Sequence, residues 1–199
     1  MKCRLVDIHT HQRHPDILSP TMAGVHPWDA EKVFALPDVT QCDIVGETGL
    51  DFACGVAREA QERLFIAHLT EAERLGKAVV IHCVRAFEPV MRILAEYKLQ
   101  GVLFHGFIGS DVQAKRCFER GYYLSFGPRS LRSPKTRRVI ATAPSELIFS
   151  ESDDNPSQIV EELYREVAEL RHVWWPSMQS RRNDKFYHHS LPRRHQKTR

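Results

Sequence analysis

The sequence predicts an α/β fold in which parallel strands, joined by crossover helices, line up as a barrel. Three observations predict it. Short β-rich runs alternate with amphipathic helical runs from residue 43 to 171, and alternation of this kind builds parallel sheets. Runs such as AVVIHCV are apolar throughout, as strands covered on both faces must be. Finally, nearly every apolar run ends in a histidine or a carboxylate, and the C-terminal strand ends of a parallel barrel open on one face.

In order along the chain, VDIHTH places Asp7, His9 and His11 at alternate positions. On a strand these three share one face, with Val6, Ile8 and Thr10 on the other. A short strand is expected over 22–26, and DIVGETGLD (43–51) reads as a strand with its exit loop. QERLFIAHLTEAERLG is helical, with Phe65, Leu69 and Ala72 on one face and Gly76 as the stop signal. AVVIHCV (78–84) is a buried strand, and Phe87, Val90, Met91 and Leu94 mark the next helix. GVLFHGF (101–107), a helix over 111–120 closed by Gly121, YYLSFG (122–127) and ELIFSES (146–152) continue the pattern. Asn155-Pro156 reads as the cap and first turn of a last helix carrying Val160, Leu163, Tyr164 and Val167. The total is about seven strands.

The 199 residues are enough for one domain with a sizeable core. The division expected is a barrel over 1–171 and a basic, disordered or aberrant tail over 172–199. The tail holds seven Lys and Arg against the single acid Asp184. This excess exceeds the whole-chain net charge of +3, so the body is net acidic and lends no support of its own to phosphate binding. Five scattered cysteines without a C-x-x-C argue for reduced thiols rather than a disulfide framework or zinc ribbon. No apolar leader run and no membrane-length stretch stands out, so cytoplasmic residence without a membrane partner is the expectation.

The strand-end residues are His9, His11, Glu47, His82, His105 and Asp153. Taken alone, each has an ordinary reading: Glu47 as a loop-entry acid, His82 or His105 as a hydrogen-bonded core histidine, Asp153 as turn chemistry in SDDNP. Asp154 leaves that last position uncertain by one residue. Their recurrence after successive strands is harder to explain as packing. Uncompensated carboxylates cost several kcal/mol (roughly) in a closed interior unless paired or metal-bound. Four imidazoles and two carboxylates suit a site for two cations.

DIHTH, GVHPWDA, VGETGLDF, AVVIHCVRAF, LFHGFIGS, YYLSFG and LIFSESDDNP together resemble the ordered motifs of the TatD family of metal-dependent deoxyribonucleases, TIM-barrel hydrolases of the amidohydrolase superfamily. The resemblance runs from about Leu5 to Leu170. It implies a TIM-barrel-like parallel (β/α) barrel that hydrolyses phosphodiester bonds of DNA with two divalent ions, Mg²⁺, Mn²⁺ or Zn²⁺. One ion would be held by His9, His11, Glu47 and Asp153, the other by Glu47, His82 and His105. Asp153 and Glu47 would act on the attacking water, and His26 would contact substrate or assist proton transfer unless His26-Pro27 is only a strand-terminating turn. Arg85 is either a phosphate contact or a surface arginine. Asp7 either orients the histidines that share its face or makes a plain core hydrogen bond. No obligate protein partner is implied.

Two features depart from the family pattern. Only residues 12–23 separate the HxH strand from GVHP, too few for the helix, strand and further helix that the family places there, so the barrel is expected to be incomplete. After Arg171 the sequence HVWWPSMQSRR lacks an amphipathic face. Two further readings stand beside the nuclease. The same metal site can hydrolyse an ester, lactone or amide, including an aminoacyl-tRNA ester, or the chain is a weakly active remnant that binds nucleic acid.

Overall fold

Residues 5–174 are described by the computed structural model, and they form six strands and six α-helices. They divide into two compact units, one of residues 20–104 and one of residues 5–19 with 105–174. No helix among the described residues is long and apolar enough to cross a membrane.

In the 20–104 unit, β1 (Met22–Ala23), β2 (Ile44–Asp51), β3 (Val79–Val84) and β4 (Val102–Phe104) pair in chain order, every pair parallel. Val79, Val80 and Ile81 are fully buried, which explains the unbroken apolar run. Helix α1 (Arg58–Leu75) buries Leu64, Phe65, Leu69 and Ala72, the face expected from its periodicity. It stops where Gly76 turns left-handed at φ 60° and donates its N–H to the carbonyls of Ala72 and Glu73, a termination that favours glycine. Helix α2 (Phe87–Leu94) buries Phe87, Val90, Met91 and Leu94, as its spacing predicts.

One irregularity matters for function. The β2–β3 register slips between Val45 and Thr48, so Gly46 and Glu47 stand outside the regular ladder. Bulges of this kind re-aim side chains. Two residues on, Gly49 pairs with His82 at φ 137°, and a Cβ there would lie 2.1 Å from the His82 carbonyl oxygen. Only glycine lets β2 approach β3 so closely.

In the other unit, β5 (Tyr123–Phe126) and β6 (Ile148–Ser150) are parallel. Helix α3 (Asp111–Glu119) starts on a reciprocal capping box between Ser110 and Gln113. Helices α4 (Pro128–Leu131) and α5 (Pro134–Thr142) fill a region the sequence pattern left unassigned. Their signals are prolines in the first turn and a Ser133 side chain accepting from the Thr136 N–H. Helix α6 (Val160–Leu170) buries Val160, Leu163, Tyr164 and Val167. Asn155-Pro156 does not begin it. Pro156 instead precedes a 3₁₀ turn, Ser157–Ile159, that leads into α6, while the Asn155 amide ties back to the Ser152 carbonyl.

The first segment differs most from expectation. Instead of a continuous strand it makes isolated bridges, Val6 with Leu18 and Thr10 with Asp153. Asp153 donates its N–H to the His9 carbonyl and accepts from the His11 N–H, but its left-handed φ of 55° cannot extend a ladder. The seventh strand is therefore reduced to bridges. Residues 12–21 form turns and the Leu18 bridge, in place of the helix, strand and further helix of the family pattern. Of the expected tail, 175–199 lies outside the described residues.

Candidate metal-binding groups

In the 20–104 unit the bulge presents Glu47, whose side chain is 10% exposed, to two imidazoles. Its Oε1 lies 2.8 Å from Nδ1 of His82 and 3.4 Å from Nε2 of His26. His26, Glu47 and His82 each offer one ligand atom, all within 4.8 Å of one another. The other nitrogen of His82 lies 3.2 Å from Oδ2 of Asp51, an oxygen that also accepts from the Trp28 indole N–H at 2.7 Å. Burial works to raise the Asp51 pKa, but hydrogen bonds from Trp28, Ala53 and His82 outweigh it and hold the carboxyl below its ordinary value. His26 does cap a turn, its Nδ1 accepting from the Trp28 backbone N–H at the 3₁₀ turn Pro27–Asp29, and it faces Glu47 as well. Arg85, just past β3, is exposed with a left-handed φ of 51°.

In the other unit, His9, His105 and Asp153 offer ligand atoms within the same 4.8 Å limit. The rings of His9 and His105 are 4.5 Å apart, and Oδ1 of Asp153 lies 3.6 Å from Nε2 of His9 and 3.7 Å from that of His11. His9 is buried and His11 is exposed. His11, Asp153 and Asp154 form a second possible group, in which Asp154 is exposed. Asp153 belongs to both.

Asp7 does not turn to the histidines. Its carboxyl accepts from the Ser152 N–H at 2.9 Å and from the Ser152 and Ser157 hydroxyls, each at 2.6 Å. Burial pushes its pKa up against these bonds. Of the two roles open to Asp7, the core hydrogen bond is the one formed.

Two carboxylates escaped the sequence reading. Asp51 reaches His82, and the fully buried Glu151 lies 3.6 Å from Nδ1 of His105 while accepting from the Ser125 hydroxyl. A signal existed for both. Asp51 follows Glu47 by four residues and Glu151 precedes Asp153 by two, spacings that return to the same side of an extended chain. Gly106, at φ 52°, keeps the chain after His105 close to Glu151, since a Cβ there would sit 3.3 Å from Oε1.

The donor sets fit a divalent metal. Each group combines imidazole nitrogen with carboxylate oxygen, a mixture suited to Zn²⁺ or Mn²⁺ and tolerant of Mg²⁺. Carboxylates beside histidines, as Asp51 and Glu151 are, commonly fix ligand tautomer and orientation.

Comparison with known proteins supplies the lineage. The chain is 32% identical over 145 residues to a 3′-5′ ssDNA/RNA exonuclease TatD of Shigella flexneri, covering 66% of this chain and 56% of that protein. It is 31% identical over 163 residues to the enzyme of the same description from Edwardsiella piscicida, with coverages of 73% and 61%. The chain thus spans little more than half the length of these curated relatives. Among solved structures, the TatD homolog YJJV from Escherichia coli superposes with a TM-score of 0.82 at 22% identity, covering 96% of this chain and 100% of that one. A TatD family hydrolase from Entamoeba histolytica gives 0.74 at 15% identity, over 88% and 74% of the two chains. These likenesses show the fold, the α/β, TIM-barrel-like architecture of TatD structures. Residues 6–184 match the family described as TatD related DNase, and the chain belongs to that family.

Proposed function

We propose that this protein is a metal-dependent hydrolase of phosphodiester bonds, acting on single-stranded DNA. Its ligands would be His9, His11, Glu47, His82, His105 and Asp153, holding two divalent ions. The observation that carries the reading is Glu47, a largely buried carboxylate held between the imidazoles of His82 and His26. A carboxylate and two imidazoles gathered this closely form a mixed oxygen and nitrogen donor set of the kind that holds a divalent cation. When bound, the metal supplies an acidified water and charge stabilisation at the attacking and leaving oxygens.

The remaining steps fall to the chain's own groups. Asp153 accepts the proton of the attacking water, and its left-handed backbone, bonded to both His9 and His11, fixes the carboxylate. Asp51 holds the His82 ring through Nε2, and Glu151 faces the His105 ring. His26, with Nδ1 occupied by the Trp28 N–H, presents Nε2 for proton exchange with a substrate oxygen. Arg85, exposed beyond β3, is available to a phosphate.

The test is cleavage of a single-stranded oligodeoxynucleotide by the chelated and reloaded full chain. Nucleotide release with Mg²⁺ or Mn²⁺, abolished by chelator and by Glu47→Gln, is expected. Intact DNA from a chain that has demonstrably taken up metal overturns the reading.

A further inference from the structure

Trp28 is 56% exposed and yet is fixed from two sides. Its backbone N–H donates to Nδ1 of His26 at 3.2 Å, and its indole Nε1–H donates to Oδ2 of Asp51 at 2.7 Å. The His26 ring meets it edge-on at 4.5 Å, and the His82 ring lies 6.2 Å away. A large aromatic surface therefore stands open to solvent, in a set orientation, beside the Glu47–His82 pair.

We infer that Trp28 is a stacking platform for a nucleobase, seating the nucleotide whose phosphodiester is presented to the Glu47–His82 group. The inference rests on the phosphodiesterase reading above. Stacking on an exposed aromatic is the usual way a single strand is held without reading its sequence. The chemistry here enforces that tolerance. The single hydrogen-bond donor of the indole is already spent on Asp51, so the ring has only its π face to offer. The same Asp51 oxygen faces Nε2 of His82, so one carboxylate sets both the base platform and a candidate ligand. Asp51 is thereby a positioning residue for each.

The test compares oligothymidylate with an abasic tetrahydrofuran oligomer of equal length, using the full, metal-loaded chain. The wild-type protein is expected to show a KM about 10-fold or more higher for the abasic strand, the scale of one lost stacking contact. Trp28→Ala should erase that ratio by raising KM for oligothymidylate, and Trp28→Phe should restore most of it. An unchanged ratio in Trp28→Ala overturns the inference while leaving the hydrolase reading intact. Binding is read separately in chelator, as quenching of tryptophan fluorescence by oligothymidylate, oligodeoxyadenylate and oligouridylate. Quenching of similar depth by all three, lost in Trp28→Ala, supports a base platform indifferent to sequence and sugar; quenching by oligouridylate alone assigns the platform to RNA and overturns the DNA substrate. Quenching that survives in Trp28→Ala overturns the platform even if no cleavage is seen.

Discussion

Oε1 of Glu47 and Nδ1 of His82 stand 2.8 Å apart on adjacent parallel strands, brought together by a register slip between Val45 and Thr48. Neither residue is special by type. Their meeting depends on a bulge that turns Glu47 out of the ladder and on glycines that let the strands close. Glu47→Gln keeps the shape and removes the charge. Metal affinity should fall at least about 100-fold, the upper range for disturbed ligand shells, measured by isothermal titration with Mn²⁺. In the wild-type chain, metal at about 100 times its Kd should add ~2.7 kcal/mol of stability, an increment that chelation removes and the variant lacks.

Gly49→Ala tests the strand approach. The new methyl would meet the His82 carbonyl oxygen at 2.1 Å in a backbone conformation of φ 137°. Steric overlap and backbone strain together should cost about 3 kcal/mol or more, read as a lower urea midpoint with the slope retained.

The buried Glu151 accepts from the Ser125 hydroxyl. Ser125→Ala deletes that donor and leaves a buried acceptor short of a partner, which costs ~1–3 kcal/mol. Ser125→Thr, which keeps the hydroxyl, should recover part of the loss in a thermal melt.

His68 offers a pH prediction separate from the proposed metal ligands. It is fully buried, its Nε2 accepting from the Val25 N–H and its Nδ1 2.8 Å from the Leu64 carbonyl. That arrangement requires the neutral ring, and burial lowers its pKa below the ordinary 6.5 despite the Leu64 bond. The unfolded chain takes up this proton near pH 6.5 and the folded chain resists it. The stabilising contribution is therefore complete above pH 6.5 and is lost as pH falls toward the lower folded value, at up to ~1.4 kcal/mol per pH unit. Denaturation between pH 7.5 and 5.5 in chelator should show a steeper loss for the wild type than for His68→Gln.

Much of the architecture was legible in the chain itself. The spans of β2, β3, α1 and α2 follow from local periodicity, and Gly76 ends its helix where the sequence says it should. The ligand-type residues were legible because they recur at strand ends. Less visible were α4 and α5, whose mixed composition carries a weak apolar period and whose clues are two first-turn prolines. The first segment departs from its strand pattern, since alternation alone does not show that Asp153 will break the ladder beside it.

The sequence by itself determined where imidazole and carboxylate side chains fall along the chain and roughly which strand ends present them, because periodicity and residue type are local properties. Tertiary structure decided the partners. Asp7 went to serines 145 and 150 residues away rather than to its own histidines, while Asp51 and Glu151 emerged beside His82 and His105. Which buried polar group satisfies which other is settled by packing across the fold, and no local pattern encodes it.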